Sequence, residues 1–183
     1  MSKAFKVGLY VGRFQPMHRG HESIIRKALK ICDIVIVAIG SSQEEHTERN
    51  PFSVSLRAEM IKKIFKREYE CQCLYVMGVR DREDPADNSE WGEYLLDSVK
   101  IATGGLEPDV IIEGFETTRR SWFSENLLSH VVINRTNLPI SGTQVRKYLE
   151  DDNRTEWRHT VNKVIWPYYD KLRKELKLCE KKE

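Results

Sequence analysis

Residues 12–21 read Gly12-Arg13-Phe14-Gln15-Pro16-Met17-His18-Arg19-Gly20-His21, and they constrain the fold more than any other stretch. An apolar run, Val7-Gly8-Leu9-Tyr10-Val11, precedes them, and an amphipathic run over 22–31 follows. That order predicts a strand, a tight turn and a helix start. Gly12 lets backbone come close at the turn, and Pro16, with no N–H to donate, ends the strand ladder. A helix beginning near His18 aims free backbone N–H groups and the positive end of its dipole at the turn. His18 and His21 lie three apart and are expected on one helix face. Arg13 adds a fixed positive charge. The combination favours an anion, and phosphate is the obvious one. The same residues also admit an ordinary strand-to-helix connection, or a metal site at the i, i+3 histidine spacing. No nearby His or Cys completes a metal-ligand set, and Glu22 points around the helix.

The alternation continues along the chain. Helices are expected over 19–32, 54–67 and 91–102, and strands over 33–40, 73–79, 109–113 and 129–134. The run Asp33-Ile34-Val35-Ile36-Val37-Ala38-Ile39-Gly40 is nearly unbroken in its apolarity, which marks a strand buried on both faces of a parallel sheet. Strands alternating with helices through short connections predict an α/β fold with a doubly wound parallel sheet. In such sheets ligands bind beyond the carboxyl ends of the strands. The chemically busy loops, 12–21, 41–51, 80–91, 114–120 and 135–146, all follow strands. At 183 residues the chain suits one domain over 1–150, with 151–183 as a C-terminal helical extension of it. In that extension Trp157, Trp166, Tyr168 and Tyr169 are expected to pack, with Pro167 bending or interrupting the helix.

Composition narrows the function classes. A net charge of +2 is too balanced for nucleic-acid binding across the surface. No apolar h-region opens the chain and no stretch is long enough to cross a bilayer, so a cytoplasmic location without membrane attachment is expected. Cys32, Cys71, Cys73 and Cys179 are then expected as thiols. Cys71-x-Cys73 has no second pair to complete a metal site, and reads as two strand cysteines on one face.

Ile140-Ser141-Gly142-Thr143-Gln144-Val145-Arg146 is a second phosphate candidate. Ser141 and Gln144 fit a capping box that opens a helix through Leu149. The hydroxyls of Ser141 and Thr143 would then lie beside free N–H groups, and Arg146, one turn in, reaches back toward them.

These segments resemble a known family. His18-Arg19-Gly20-His21 is the H-x-G-H motif of the nucleotidyltransferase superfamily, and the ten-residue version resembles the archaeal-type nicotinamide mononucleotide (NMN) adenylyltransferases. Ser141-Gly142-Thr143 with Arg146 resembles the family's S-G-T-x-x-R. Gly40-Ser41-Ser42-Gln43 and 46–52 resemble its G-S-x-Q-x-x-H-T-x-x-N-P-F loop, and Asp84, Asn88, Ser89 and Trp91 its D-x-x-x-N-S-x-W. The resemblance implies a Rossmann-like sheet with helices on both faces and a C-terminal helical segment. It implies adenylyl transfer from ATP to NMN, giving NAD and pyrophosphate; a homo-oligomer is expected. Catalysis would fall to Arg13, His18, His21 and Arg146. ATP would meet Gly12, Arg13, Phe14, His18, His21, Gly114, Ser141, Thr143 and Arg146. NMN would meet Ser41, Thr47, Arg49, Asp84, Asn88 and Trp91. Magnesium would arrive on the ATP phosphates, with no dedicated protein ligands.

The physics suits parts of this. Arg49 offers a guanidinium matched to the NMN phosphate, and the Trp91 indole suits a cationic pyridinium. The bland readings stand beside them: a solvated charged loop at 44–49, and a core anchor at Trp91. The chain departs from the family at 78–83, where Asp81 competes with Asp84 for the acidic role, and at Phe115 and Glu116, where the family has a residue pattern close to S-G-N-P. Other superfamily transferases acting on pantetheine phosphate, FMN or cytidylyl acceptors are the alternative, as is a non-catalytic nucleotide-binding module.

Overall fold

A computed structural model of the chain describes residues 2–82, 88–114, 123, 128–133 and 139–179. Strand β1 (Phe5–Gly12) leads into helix α1 (Arg19–Ile31), which is followed by β2 (Cys32–Ile39), α2 (Val54–Ile64), the short α3 (Lys66–Glu70) and β3 (Leu74–Gly78). Then come α4 (Asn88–Thr103), β4 (Val110–Glu113), β5 (Ser129–Val132), α5 (Gly142–Glu150) and α6 (Arg154–Thr160). A 3₁₀ segment (Lys163–Tyr168) and α7 (Tyr169–Cys179) complete the described chain. The five strands form one sheet in the order β3-β2-β1-β4-β5, with every neighbouring pair parallel. Strand order reverses beside β1, so the crevice expected of a doubly wound sheet opens between the carboxyl ends of β1 and β4.

Side-chain alternation along the strands builds two cores. Tyr10, Val35, Val37, Ile39 and Ile112 face α1, α2 and the C-terminal helices. Leu9, Val11, Ile36, Ala38 and Ile111 face the side of α4, where Leu95 and Val99 meet them. Both faces are covered, which is why β2 carries an apolar run and not an alternating one. Each aliphatic side chain fully buried in this way contributes about 1.5–3 kcal/mol.

The C-terminal segment shares the first core: Trp157, Tyr168, Tyr169 and Leu172 sit in the same cluster as Ile25 and Met60. It also braces the site-bearing elements through polar contacts. Asn162 donates to Glu22 at 2.8 Å, the Tyr168 hydroxyl donates to Glu59 at 2.6 Å, and Glu175 accepts from the Ser53 N–H at 3.3 Å.

Some expectations change. The helix expected over 54–67 breaks at Phe65, which is fully buried and leaves helical geometry at φ −110°, ψ 38°. The helix expected from Trp91 begins at Asn88. Trp166 is 38% exposed with the Arg158 guanidinium 4.8 Å above its ring, so it is a surface cation–π partner and not a packing residue. Cys71 and Cys73 precede β3 and do not share a strand face. Pro167 lies inside the 3₁₀ segment, so the interruption is a stretch of tighter helix before α7.

Candidate active site

The turn after β1 is built from its own residues. Phe14 sits at φ +53°, a left-handed conformation that costs about 1–3 kcal/mol for such a side chain. Packing holds it there: the ring lies edge-on to Tyr10 at 5.6 Å and tilted against His21 at 4.8 Å, and is 1% exposed. Gly12 makes room for that ring, because a Cβ at Gly12 would lie 3.0 Å from it. The close approach foreseen at Gly12 is thus an approach of the chain to itself. Any part Phe14 plays in binding a nucleotide falls to its backbone.

His18 is the N-cap of α1 and not a member of its helical face. Its backbone is extended (φ −144°, ψ 171°), and its Nδ1 accepts from the Gly20 N–H at 3.1 Å. A backbone N–H can only donate, so Nδ1 carries no proton here and the imidazole N–H resides on Nε2. The two histidines still meet, stacked with ring centroids 3.8 Å apart. His18 is 2% exposed and His21 is half-buried.

The second phosphate candidate closes onto the first. Ser141 caps α5 and its Oγ accepts from the Gln144 N–H at 3.2 Å. Arg146 donates through Nη1 to the Gln15 carbonyl at 2.8 Å and through Nη2 to the Thr143 hydroxyl at 3.4 Å. Gly142 lies against the same carbonyl, which a Cβ would approach to 2.8 Å. The helix starts of α1 and α5 are therefore fixed side by side.

The loop after β2 joins them. The Gln15 amide donates to the Phe52 carbonyl at 3.1 Å and accepts the Phe52 N–H at 3.0 Å, while its Nε2 also reaches Asn50 Oδ1 at 3.5 Å. Ser41 is buried at φ +49°. Thr47 Oγ1 accepts the Asn50 N–H at 3.0 Å and so closes the loop's turn. Arg49 is exposed. The Arg13 guanidinium lies below its ordinary pKa, through partial burial first and then repulsion from Arg49 and Arg146. Burial likewise lowers Arg146. Arg13 thus feels the positive charge of Arg49 and Arg146, offset in part by the carboxylates of Asp81 and Glu44.

Gly114 follows β4, the strand paired with β1 through Tyr10 and Ile112. Trp91 is half-buried on α4 and packs against the second core. Asn88 begins α4. Asp84, Phe115 and Glu116 lie outside the described residues. Asp81 is engaged with Gln43, accepting from its Nε2 at 3.1 Å and donating its backbone N–H to Oε1 at 3.0 Å.

Three contributors had no role assigned from sequence: the Gln15 side chain, Gly142 and Arg57. Arg57 is fully buried on α2. Its Nη1 donates to the carbonyls of Arg13 at 3.0 Å and Gly40 at 2.8 Å, its Nη2 to Ser41 at 3.0 Å, and its Nε to Ser53 at 3.3 Å. Burial lowers this guanidinium to about 10, still charged at neutral pH. It ties the ends of β1 and β2 from beneath and leaves a cation under the loops. A sequence signal existed: Arg57, Met60 and Ile61 share one helical face, and a charge on a buried stripe needs a reason.

Among the described residues no group of three His, Cys, Asp or Glu is placed to hold a metal ion, and no helix is long and apolar enough to cross a membrane.

Comparison with known proteins gives the family. Residues 9–148 match the cytidylyltransferase-like family. A nicotinamide-nucleotide adenylyltransferase of Saccharolobus solfataricus is 51% identical over 89 residues, which cover 48% of this chain and half the length of that one. One from Methanococcus aeolicus is 34% identical over 161 residues, 86% of this chain and 84% of that one. In fold, the chain is similar to a bifunctional NMN adenylyltransferase/ADP ribose pyrophosphatase from Francisella tularensis, crystallised with AMP and a manganese ion. The TM-score is 0.71 at 18% identity, covering 93% of this chain and 51% of that one. The chain belongs to the cytidylyltransferase-like family and to the nicotinamide-nucleotide adenylyltransferases.

Proposed function

We propose that this chain joins ATP and NMN to give NAD and pyrophosphate. The observation that carries the reading is the junction of Arg146 with the Gln15 carbonyl, which brings the start of α5 against the turn that leads into α1, at the switch in strand order. The names of the relatives support the substrate pair.

The reaction needs no covalent nucleophile on the protein. A 5′-phosphate oxygen of NMN attacks the α-phosphorus of ATP in line, the bond from that phosphorus to the bridging oxygen breaks, and pyrophosphate leaves. Positioning and charge stabilisation suffice for such a transfer. Arg13, Arg146, His21 and the Nε2–H of His18 hold the ATP phosphates, with Ser141 and Thr143 at the second helix start. Gly12, Phe14 and Gly114 contribute backbone beside the nucleotide. Arg49 takes the NMN phosphate, with Ser41 and Thr47 in the same loop, and Asp84, Asn88 and Trp91 take its nicotinamide end. Arg57 positions the loops from below.

The donor set is cationic, which fits a divalent metal carried on phosphate oxygens. Magnesium, when bound, neutralises charge on the triphosphate. The Francisella protein was crystallised with AMP and manganese, so both metals belong in the assay. The same reading has the protein act in the cytoplasm as a homo-oligomer, which light scattering on the purified protein tests.

The deciding experiment supplies ATP, magnesium and one acceptor at a time, and follows pyrophosphate. NMN should be the best acceptor and NAD the product. A far better rate with pantetheine phosphate or FMN, or with CTP replacing ATP, refutes the substrate assignment and moves the chain elsewhere in its broad family.

A further inference from the structure

Cys71 and Cys73 lie far from the nucleotide crevice. All strands run parallel, so the turn from α3 into β3 sits at the amino end of the sheet, on its edge. The turn is held rigidly by backbone hydrogen bonds. Cys71 N–H donates to Arg67 O at 3.0 Å, Gln72 N–H to Tyr69 O at 3.2 Å, and Cys73 N–H to Glu68 O at 2.9 Å. Cys73 O accepts the Val35 N–H at 2.9 Å, which pins the turn to β2. Gln72 takes φ +58°, and that left-handed step swings the two flanking side chains together. The sulfurs lie 2.9 Å apart and share a hydrogen bond. Cys71 is exposed, Cys73 half-exposed, and both are free thiols.

We propose that Cys71 and Cys73 are a surface dithiol that exchanges with small disulfides, closing reversibly to an internal Cys71–Cys73 disulfide. The pair is asymmetric in the way such an exchange needs. The two sulfurs share one hydrogen bond, which holds the Cys71 thiol below its ordinary value and Cys73 above it. Cys71 is the more exposed of the two, so it is the sulfur that a small disulfide reaches, and Cys73 beside it is the resolving one.

In the first step the Cys71 thiolate attacks one sulfur of a glutathione-type disulfide. That S–S bond breaks, a mixed disulfide forms on Cys71, and the leaving thiolate takes up the proton that Cys71 lost. In the second, Cys73 gives up its proton and attacks the Cys71 sulfur, and the second small thiol leaves carrying that proton. Two protein thiols are oxidised and one small disulfide is reduced to two thiols. The fold supplies the proximity, which sets the closing equilibrium.

The test equilibrates the full chain in buffers of graded oxidised-to-reduced glutathione, quenches in acid, alkylates, and maps the products by mass. Two of the four thiols should be lost together, with both losses in the peptide holding residues 71 and 73, while Cys179 is still alkylated. In urea, where the turn is melted, closure should need a buffer at least about tenfold more oxidising. Cys73→Ser should leave a glutathione adduct standing on Cys71, and Cys71→Ser should abolish closure. NAD synthesis serves as the folding control in each variant and should be unchanged. Equal closure in folded and melted chain, or a lasting adduct on Cys71 with Cys73 intact, overturns the proposal.

Discussion

Arg146 donates to the backbone carbonyl of Gln15 at 2.8 Å, across 131 positions of sequence. Gly142 lies against the same carbonyl, so the start of α5 touches the turn after β1 at two points. A carbonyl that accepts from a guanidinium cannot also tolerate a methyl at 2.8 Å, and backbone on both sides leaves little to yield. Gly142→Ala should therefore push α5 away from the turn. The expected cost is about 1–3 kcal/mol of stability, as for overpacking, with a rise in the KM for ATP. Denaturant melts and ATP kinetics on the same preparation check it. Wild-type values in both would mean that the two helix starts need not be in register.

Arg57 yields a different pattern, because it supports two loops at once. Arg57→Met leaves the carbonyls of Arg13, Gly40 and Ser41 without their donor. Loss of about 3–5 kcal/mol of stability follows, the scale of a broken buried charged network. Arg57→Lys keeps the charge but offers three donors without the planar fork, and should recover only part. In both variants kcat/KM for ATP and for NMN should fall together, since the ends of β1 and β2 move as one. A folded variant that loses only one substrate would restrict Arg57 to one loop.

His18 has an observed role as helix cap and a proposed one as donor to phosphate, and substitution can separate them. His18→Ala removes both the N-cap and the Nε2–H donor. His18→Ser restores a good cap, worth about 1 kcal/mol, without the donor. Stability should return in the serine variant while kcat stays roughly 10²-fold down, as for loss of one preorganised donor to a developing charge. Recovery of kcat in His18→Ser would reduce His18 to a helix cap.

Much of this arrangement was legible in the residues themselves. The unbroken run at 33–40 foretold a strand covered on both faces, and Ile36 and Val37 indeed face opposite cores. Helix caps were legible where Ser141 precedes Gln144, because the cap chemistry is local. The expectation of His18 on the helix face fails because imidazole is not among the usual caps; its capping role emerges only from Nδ1 and the Gly20 N–H. The sequence does not reveal the parts of the Gln15 side chain and Arg57, because each bonds carbonyls or N–H groups of loops that are distant in sequence, and backbone partners leave no trace in residue identity. The cysteine pair departs from its expected strand for a similar reason: a left-handed step at Gln72 stands where the spacing predicts a strand.

Trp91 gives the sharpest test of the acceptor. It is half-buried, packed on one flank against the core of α4 and the sheet. A ring buried on one flank can still offer a face to a ligand, and indole is the strongest aromatic partner for a cationic pyridinium. If it does, Trp91→Ala should weaken NMN binding by about 1–2 kcal/mol, the scale of a desolvated cation–π contact. ATP affinity should hardly change, because the helix starts proposed to hold its phosphates belong to α1 and α5. Trp91→Phe should recover part of the loss, since a benzene face keeps a weaker quadrupole. The core flank makes a separate contribution: some stability should go in Trp91→Ala, but less than the roughly 3–5 kcal/mol of a wholly buried tryptophan. The two effects separate when NMN and ATP titrations are run on the folded fraction beside denaturant melts. A folded Trp91→Ala protein that binds NMN as tightly as wild type would make Trp91 a core anchor alone and would leave recognition of the nicotinamide ring to other residues.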